Sequence, residues 1–78
     1  MDGAVEAPKP STMMYAIQHR TSQRWIACPP SSCSLTETLH EAEATAWPMM
    51  SLAELERAYL YPFHDAYHVV PIRRGITR

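Results

Sequence analysis

The sequence predicts an α+β fold in which one helix packs on a three-stranded, mostly antiparallel sheet, in the order β-β-α-β. Three observations support this: an early pair of runs has strand character, a later run has the spacing of an amphipathic helix, and a β-branched, aromatic run follows it. A chain of 78 residues is expected to form one domain with a small core. We expect that domain to span residues 12–72, between a flexible tail at 1–11 and a basic tail at 73–78.

The first two strands are predicted before residue 29. Residues 13–20 alternate in the manner of a strand, and residues 21–23 form a plausible turn. Residues 24–28 then form the returning strand, in which Trp25 contributes the most buried area. Pro29 and Pro30 end this strand because consecutive prolines cannot donate to a ladder.

The segment between the second strand and the helix is expected to be largely irregular. Residues 35–42 are predicted to form a short helical turn with Thr36 as its cap. Residues 43–47 are predicted to be extended and to deliver Trp47 to the core before Pro48.

Residues 49–61 carry the strongest local signals, and all of them predict a helix. Ser51 and Glu54 have the spacing of a capping box, in which each side chain accepts a hydrogen bond from the other residue's backbone N–H. Met50 and Leu55 have the spacing of a hydrophobic staple. The residues expected on the sheet-facing side of this helix are Leu52, Leu55, Ala58 and Tyr59.

The last strand is predicted over residues 67–72, after a connection that begins at Pro62, which is expected to stop the helix. Pro71 indicates that this strand lies at a sheet edge or near the end of its pairing. Gly75 is a predicted hinge in the basic tail. The side chains expected to meet the helix from the sheet are Tyr15, Ile17, Trp25 or Ile26, Val70 and Ile72.

Five short segments follow one another in the chain: Tyr15-Ala16-Ile17, Arg24-Trp25-Ile26, Ala44-Thr45-Ala46-Trp47, Ser51 to Tyr59, and Tyr67-His68-Val69-Val70-Pro71. Their order resembles that of small uncharacterised proteins encoded by bacteriophages. The resemblance covers residues 13–72, and the cysteines and prolines at 28–33 depart from it. It implies a phage accessory protein that binds and blocks a host machine, CRISPR effector complexes included, and it implies no site residues.

Composition and charge argue against some classes of function. The formal net charge of −1 gives no reason to expect nucleic-acid binding, which usually needs a clearly basic domain. No apolar run approaches the ~20 residues needed to cross a bilayer, and the first residues lack the order of a signal peptide. We therefore expect a cytoplasmic protein without a membrane partner, in the host cell if the chain is phage-encoded.

The most specific candidate metal site consists of Cys28, Cys33, His64 and His68, since each pair has a zinc-finger spacing. The long gap between the pairs and the prolines in the cysteine loop favour two free thiols and two separate histidines. A disulfide between the cysteines is the third alternative. A Cys-His nucleophile would lack a group to orient it, so we predict neither a cofactor nor an enzyme.

The aromatic residues favour an interaction surface. One helix and three strands cannot bury all five aromatic residues between 47 and 67, although Trp47, Tyr59 and Tyr67 alone could be core. Tyr61 and Phe63 lie in a connection, where exposed rings are typical of interface anchors. The predicted partner-binding residues are Tyr61, Phe63, Glu54, Glu56, Arg57, Arg73 and Arg74.

Two charged surfaces are also possible. One is a basic patch for phosphate and the other is an acidic surface that imitates nucleic acid. The basic patch would combine Arg73, Arg74 and Arg78 with Arg20 and Arg24, and the acidic one would combine Glu37, Glu41, Glu43, Glu54 and Glu56.

The sequence thus leads to one main functional hypothesis and two others. The main one is a non-catalytic interaction module that binds a host protein complex and forms homodimers through an open strand edge or the aromatic patch. The alternatives are a zinc-stabilised nucleic-acid-binding module and an antitoxin-like or regulatory subunit.

Overall fold

Strand β1, Ser11–His19, lies at the centre of the sheet. The structure is a computed structural model, and it describes residues 11–32 and 35–75. The remaining elements in chain order are β2 (Trp25–Ile26), β3 (Glu37–Thr38), β4 (Ala46–Trp47), helix α1 (Met50–Ala58) and β5 (Tyr67–Gly75). Short 3-10 turns occur at Glu41–Glu43 and His64–Ala66.

The sheet confirms the predicted fold class, an antiparallel sheet with one helix. Strand β5 pairs with β1 along its whole length, from Ser11 opposite Gly75 to His19 opposite Tyr67. Strands β2 and β4 both pair with β1 as well, and β3 extends the sheet beyond β2. Since β5 occupies one edge of β1, β2 and β4 share the other edge.

Among the described residues the sheet has five strands rather than three, because the centre of the chain joins it. Backbone bonds from Ala27 N–H to the Thr36 oxygen (2.7 Å) and from Thr45 N–H to the Ile26 oxygen (2.9 Å) hold this segment against β2. The prediction of a helical turn over residues 35–42 is therefore wrong, because strand β3 lies within this range. The extended segment predicted over residues 43–47 is confirmed at Ala46 and Trp47, which form β4, whereas Glu43 belongs to a 3-10 turn.

The core is divided between the two faces of the sheet, since neighbouring strand residues point to opposite sides. Trp25 and Ile26 are both buried, one on each face, where the prediction chose one or the other. One face carries Ile17, Ile26 and Tyr67, against which Trp47, Leu60, Ala66 and Val69 pack. The opposite face carries Ala16, Trp25, Ala44 and Ile72, with Met14, Ala46 and Val70.

Helix α1 begins without the predicted capping box. Its N-cap is Met49, which has extended backbone and makes no side-chain cap bond, and the Met49 oxygen accepts from Leu52 and Ala53. Ser51 therefore lies inside the first turn and cannot cap it. Glu54 instead accepts a hydrogen bond from Arg57 Nε at 3.0 Å.

The helix ends at Ala58, three residues before the predicted end at Tyr61. The chain continues in turns, with bonds from Leu60 N–H to the Arg57 oxygen and from Tyr61 N–H to the Ala58 oxygen. The peptide bond between Tyr61 and Pro62 is cis.

Helix α1 is rotated relative to the prediction. Ala53 is fully buried, Arg57 is half-buried, and Leu60 packs on the core after the helix. The predicted inward face is wrong, because all of its members are exposed: Leu52, Leu55, Ala58 and Tyr59.

Strand β5 is longer than predicted and lies at an edge of the sheet. Within the described ranges it pairs with β1 alone, as Pro71 indicated. It continues through Arg73 and Arg74 to Gly75, so these two arginines belong to the strand and not to a tail. Residues 76–78 and 1–10 lie outside the described residues.

Candidate interaction surface

The solvent-facing side of α1 carries no charged residue. It consists of Ser51, Leu52, Leu55, Ala58 and Tyr59, and we call it the outward face. Leu52, Leu55 and Tyr59 are 40%, 59% and 61% exposed. An amphipathic helix normally turns its apolar side to the core. This helix therefore presents to solvent the residues that a core would usually take.

The charged residues of α1 lie on its two flanks and make contacts within the chain. Arg57 Nη1 donates to the backbone oxygens of His64 (2.7 Å) and Tyr67 (3.2 Å). On the other flank, Glu56 accepts from Ser31 N–H (3.1 Å) and Ser31 Oγ (2.8 Å). Glu56 and Arg57, predicted to bind a partner, thus anchor the helix to the loop after β2 and to the start of β5.

The connection after α1 exposes two aromatic rings, as predicted. Tyr61 is 76% exposed and Phe63 is 71% exposed. The Tyr61 ring stacks on His64, with centroids 5.4 Å apart and planes inclined by 29°. Nδ1 of His64 is buried and has no hydrogen-bond partner among the described residues. Tyr61 is therefore exposed yet held by a neighbouring ring.

The predicted basic patch is not assembled. Arg20 and Arg24 lie beside the end of β1, whereas Arg73 and Arg74 pair with its beginning. A strand of nine residues separates the two groups by roughly 25 Å. Arg78 lies outside the described residues.

Individual members of the charged groups bind within the fold instead. Arg74 Nη2 donates to the backbone oxygens of Glu41 (3.1 Å) and Ala44 (2.9 Å). These bonds tie the first 3-10 turn to β5. Glu43 accepts from Thr38 Oγ1 at 2.6 Å, and Glu37 accepts from the Tyr67 hydroxyl at 2.5 Å.

The ring of Tyr67 belongs to the core, and its hydroxyl donates a hydrogen bond to Glu37 that the sequence did not indicate. Its side chain is 5% exposed, and its ring meets that of His19 edge to face at 4.9 Å. Burial raises the pKa of Tyr67 to about 12, and the hydrogen bond and negative charge of Glu37 act in the same direction. On the neighbouring residue, burial and then the charges of Arg20 and Arg57 lower the pKa of His68.

We expect the stability of the protein to fall by about 2 kcal/mol between pH 10 and pH 12 through Tyr67. The unfolded chain releases the proton of the Tyr67 hydroxyl near pH 10, whereas the folded chain retains it to about pH 12. The contribution of Tyr67 to the free energy of unfolding is therefore complete below pH 10 and is lost as the pH rises. Urea denaturation of the wild type and of Tyr67→Phe over this range measures the difference. Tyr67→Phe should show the shallower decline, and two parallel curves would contradict the assignment.

Cys28 is disulfide-bonded in the structure. The expectation of a free thiol is therefore wrong for Cys28, and a sulfur held in a disulfide cannot serve as a zinc ligand. Cys33, the other cysteine of the sequence, lies outside the described residues. Among the side chains that the structure describes, no three His, Cys, Asp or Glu residues meet where a metal could bind.

No helix in the described part of the chain has both the length and the apolar character of a membrane span. Comparison with protein-family models, with curated proteins and with solved structures gave no match. The functional proposal therefore depends on the exposed side chains of α1 and of the connection that follows it.

Proposed function

We propose that the chain is a non-catalytic protein-interaction module that binds a partner protein through Tyr61 and Phe63. The observation that carries this proposal is the exposure of two aromatic rings two residues apart, in the connection that follows α1. Exposed apolar groups that lie together mark interaction sites more often than isolated ones do.

The stacking of Tyr61 on His64 supports a role for this ring as an anchor. Aromatic side chains dominate the binding energy of many interfaces, because they bury a large area at a small cost in conformational entropy. A ring already held by its neighbour loses less freedom on binding than a free one. The contacts of Arg57 with His64 and Tyr67 fix the backbone on either side of the connection.

The proposed partner is a host protein complex, with a CRISPR effector among the candidates. This part of the proposal depends on the resemblance of residues 13–72 to phage accessory proteins. The cytoplasmic location stays a prediction, and the disulfide at Cys28 weighs against it, because disulfides persist mainly in oxidising compartments.

Replacing both Tyr61 and Phe63 by Ala should reduce partner binding by about a thousandfold, since two anchor residues that each contribute about 2 kcal/mol together contribute about 4 kcal/mol. Affinity purification from the native host with quantitative mass spectrometry would compare the wild type with this double variant. The free energy of unfolding should change by less than about 0.5 kcal/mol, because both rings are exposed.

A matched control is the double variant Leu35→Ala and Leu39→Ala. These residues are 51% and 62% exposed and lie before the first 3-10 turn, so the variant removes apolar surface elsewhere. The control should retain the partner. Equal loss in both double variants, or full retention in the Tyr61 and Phe63 variant, would refute the proposed site.

A further inference from the structure

We propose that the disulfide of Cys28 is a redox switch for helix α1. When the disulfide is reduced, the loop after β2 releases the Glu56 side of the helix. This inference concerns the attachment of α1 to the rest of the fold, and it does not depend on what binds at Tyr61 and Phe63. Three features carry it: the few contacts that hold α1, the bonds between the loop and Glu56, and the place of Cys28 in that loop.

Helix α1 is held on the sheet by unusually little apolar surface. Its fully buried residue is Ala53, whereas the larger Leu52 and Leu55 are exposed. Most of the stability of a helix in a folded protein comes from the packing of an apolar side, and a single methyl group supplies little of it. The polar contacts on the flanks of α1 therefore matter more for its attachment than they would in a well-packed helix.

The two flanks of α1 are attached to different parts of the chain. Arg57 bonds to the connection and to the start of β5, which follow the helix directly. Glu56 bonds to Ser31, which lies 25 residues earlier in the sequence. The Ser31 N–H donates to Oε1 at 3.1 Å and the Ser31 hydroxyl donates to Oε2 at 2.8 Å, so both carboxylate oxygens are used. The attachment of the Glu56 flank thus depends on the conformation of a distant loop.

The loop that carries Ser31 connects β2 to β3. Its two ends meet where the Ala27 N–H donates to the Thr36 oxygen at 2.7 Å. Inside the loop, the Ser32 N–H donates to the Pro29 oxygen at 3.0 Å, a turn that places Ser31 beside the helix. Strands β2 and β3 have only two residues each, so their pairing does little to fix the loop between them.

The disulfide closes this loop into a small ring. Cys28 follows Ala27 directly, and the chain has two cysteines, so the second sulfur belongs to Cys33 and the ring contains Ser31. A covalent ring removes alternative conformations of the backbone, so Ser31 reaches Glu56 with little further loss of entropy. Reduction restores these conformations, and two exposed hydrogen bonds are too weak to suppress them. The bonds between Ser31 and Glu56 are then lost.

The chemical step is a thiol–disulfide exchange with a dithiol reductant. The S–S bond of Cys28 breaks and leaves two protein thiols, while the dithiol gives up two electrons and two protons and closes into its own disulfide. Cys28 is half-buried in a loop whose serines, Ser31 and Ser32, are exposed. Disulfides persist in oxidising compartments and are reduced in the cytosol. Helix α1 is therefore fixed on both flanks in the first environment and on the Arg57 flank alone in the second.

Amide hydrogen exchange of the full chain, followed by NMR before and after treatment with dithiothreitol, tests the switch through Glu56→Ala. In the oxidised protein this substitution should accelerate exchange of the α1 amides about tenfold, because it removes the acceptor of both Ser31 bonds. In the reduced protein it should accelerate exchange less than about twofold, because the contact is already absent. The comparison of one substitution in two redox states cancels any general effect of the disulfide on stability.

Glu54→Ala is the matched control. Glu54 pairs with Arg57 on the other flank, so its replacement should change α1 exchange by the same factor in both redox states. The double variant Cys28→Ser and Cys33→Ser should behave as the reduced protein does without any reductant. Equal factors for Glu56→Ala in the two states, or a double variant that behaves as the oxidised protein, would overturn the switch.

The amides that pair β1 with β5 report on the rest of the fold. They should stay protected after reduction, because the proposed release concerns α1 and leaves the central pairing of the sheet in place. Loss of their protection together with that of α1 would also overturn the switch, since the disulfide would then hold the whole domain together.

Discussion

Replacing Ala53 by Glu should destabilise the protein by about 4 kcal/mol, the largest effect that we expect from one substitution in α1. Ala53 is fully buried where the helix meets the sheet, so a longer side chain must displace core residues and bury an unpaired carboxylate. Native domains of this size are stable by only about 5 kcal/mol, so the variant should retain about 1 kcal/mol, and roughly 15% of its molecules should be unfolded at room temperature. Circular dichroism and urea denaturation measure the loss.

Leu55→Glu is the matched control for this substitution. It introduces the same side chain two residues further along the helix, at a position that is 59% exposed. At protein concentrations where the chain is monomeric, its unfolding free energy should stay within about 0.5 kcal/mol of the wild type. The opposite ranking, with Leu55→Glu the more damaging, would mean that the helix packs through Leu52 and Leu55, as its apolar spacing predicts.

Replacing Arg57 by Ala should cost about 3 kcal/mol, the second large effect. Its guanidinium donates to the backbone oxygens of His64 and Tyr67 and joins α1 to the connection and to β5. Removing it takes the charged donor away from these oxygens, so that the His64 oxygen keeps only the Tyr67 N–H, and hydrogen bonds from charged groups are among the stronger ones in proteins. Thermal and urea denaturation of the purified variant measure the cost.

Glu54→Ala distinguishes the two kinds of contact that Arg57 makes. The ion pair between Glu54 and Arg57 is an i, i+3 pair with the Glu54 side chain 47% exposed, so its loss should cost less than about 0.5 kcal/mol. Arg57→Lys should recover only part of the stability, since an ammonium group lacks the planar donors of a guanidinium. A large effect of Glu54→Ala with a small one of Arg57→Ala would contradict the anchoring role.

Several elements of the fold were predictable because they depend on local patterns. The alternation before His19 and the β-branched composition after Tyr67 predicted β1 and β5, and these two strands form the longest pairing in the sheet. Strands β3 and β4 have two residues each and no pattern of their own. They form because backbone bonds to the segment around β2 hold the centre of the chain, and such long-range bonds leave no periodic signal.

The candidate surface was predicted in part. Tyr61 and Phe63 lie beside Pro62 in a connection, and that local context was enough to predict their exposure. The outward face was missed because Leu52, Leu55 and Tyr59 have the spacing of a core-facing side. Ala53, Arg57 and Leu60 also have helical spacing. This second pattern indicates the side of α1 that faces the sheet in the structure.

Propensity, periodicity and proline act over a few residues. They were therefore sufficient to predict the class of fold, the position of the helix in the chain and the exposure of the aromatic connection. Which side of α1 meets the sheet depends on contacts between distant parts of the chain. Arg57 reaches the backbone oxygens of His64 and Tyr67, and these come within its range only when the connection and β5 are in place. Because Ala53 and Arg57 take the inner side, the large apolar residues Leu52, Leu55 and Tyr59 are left outside.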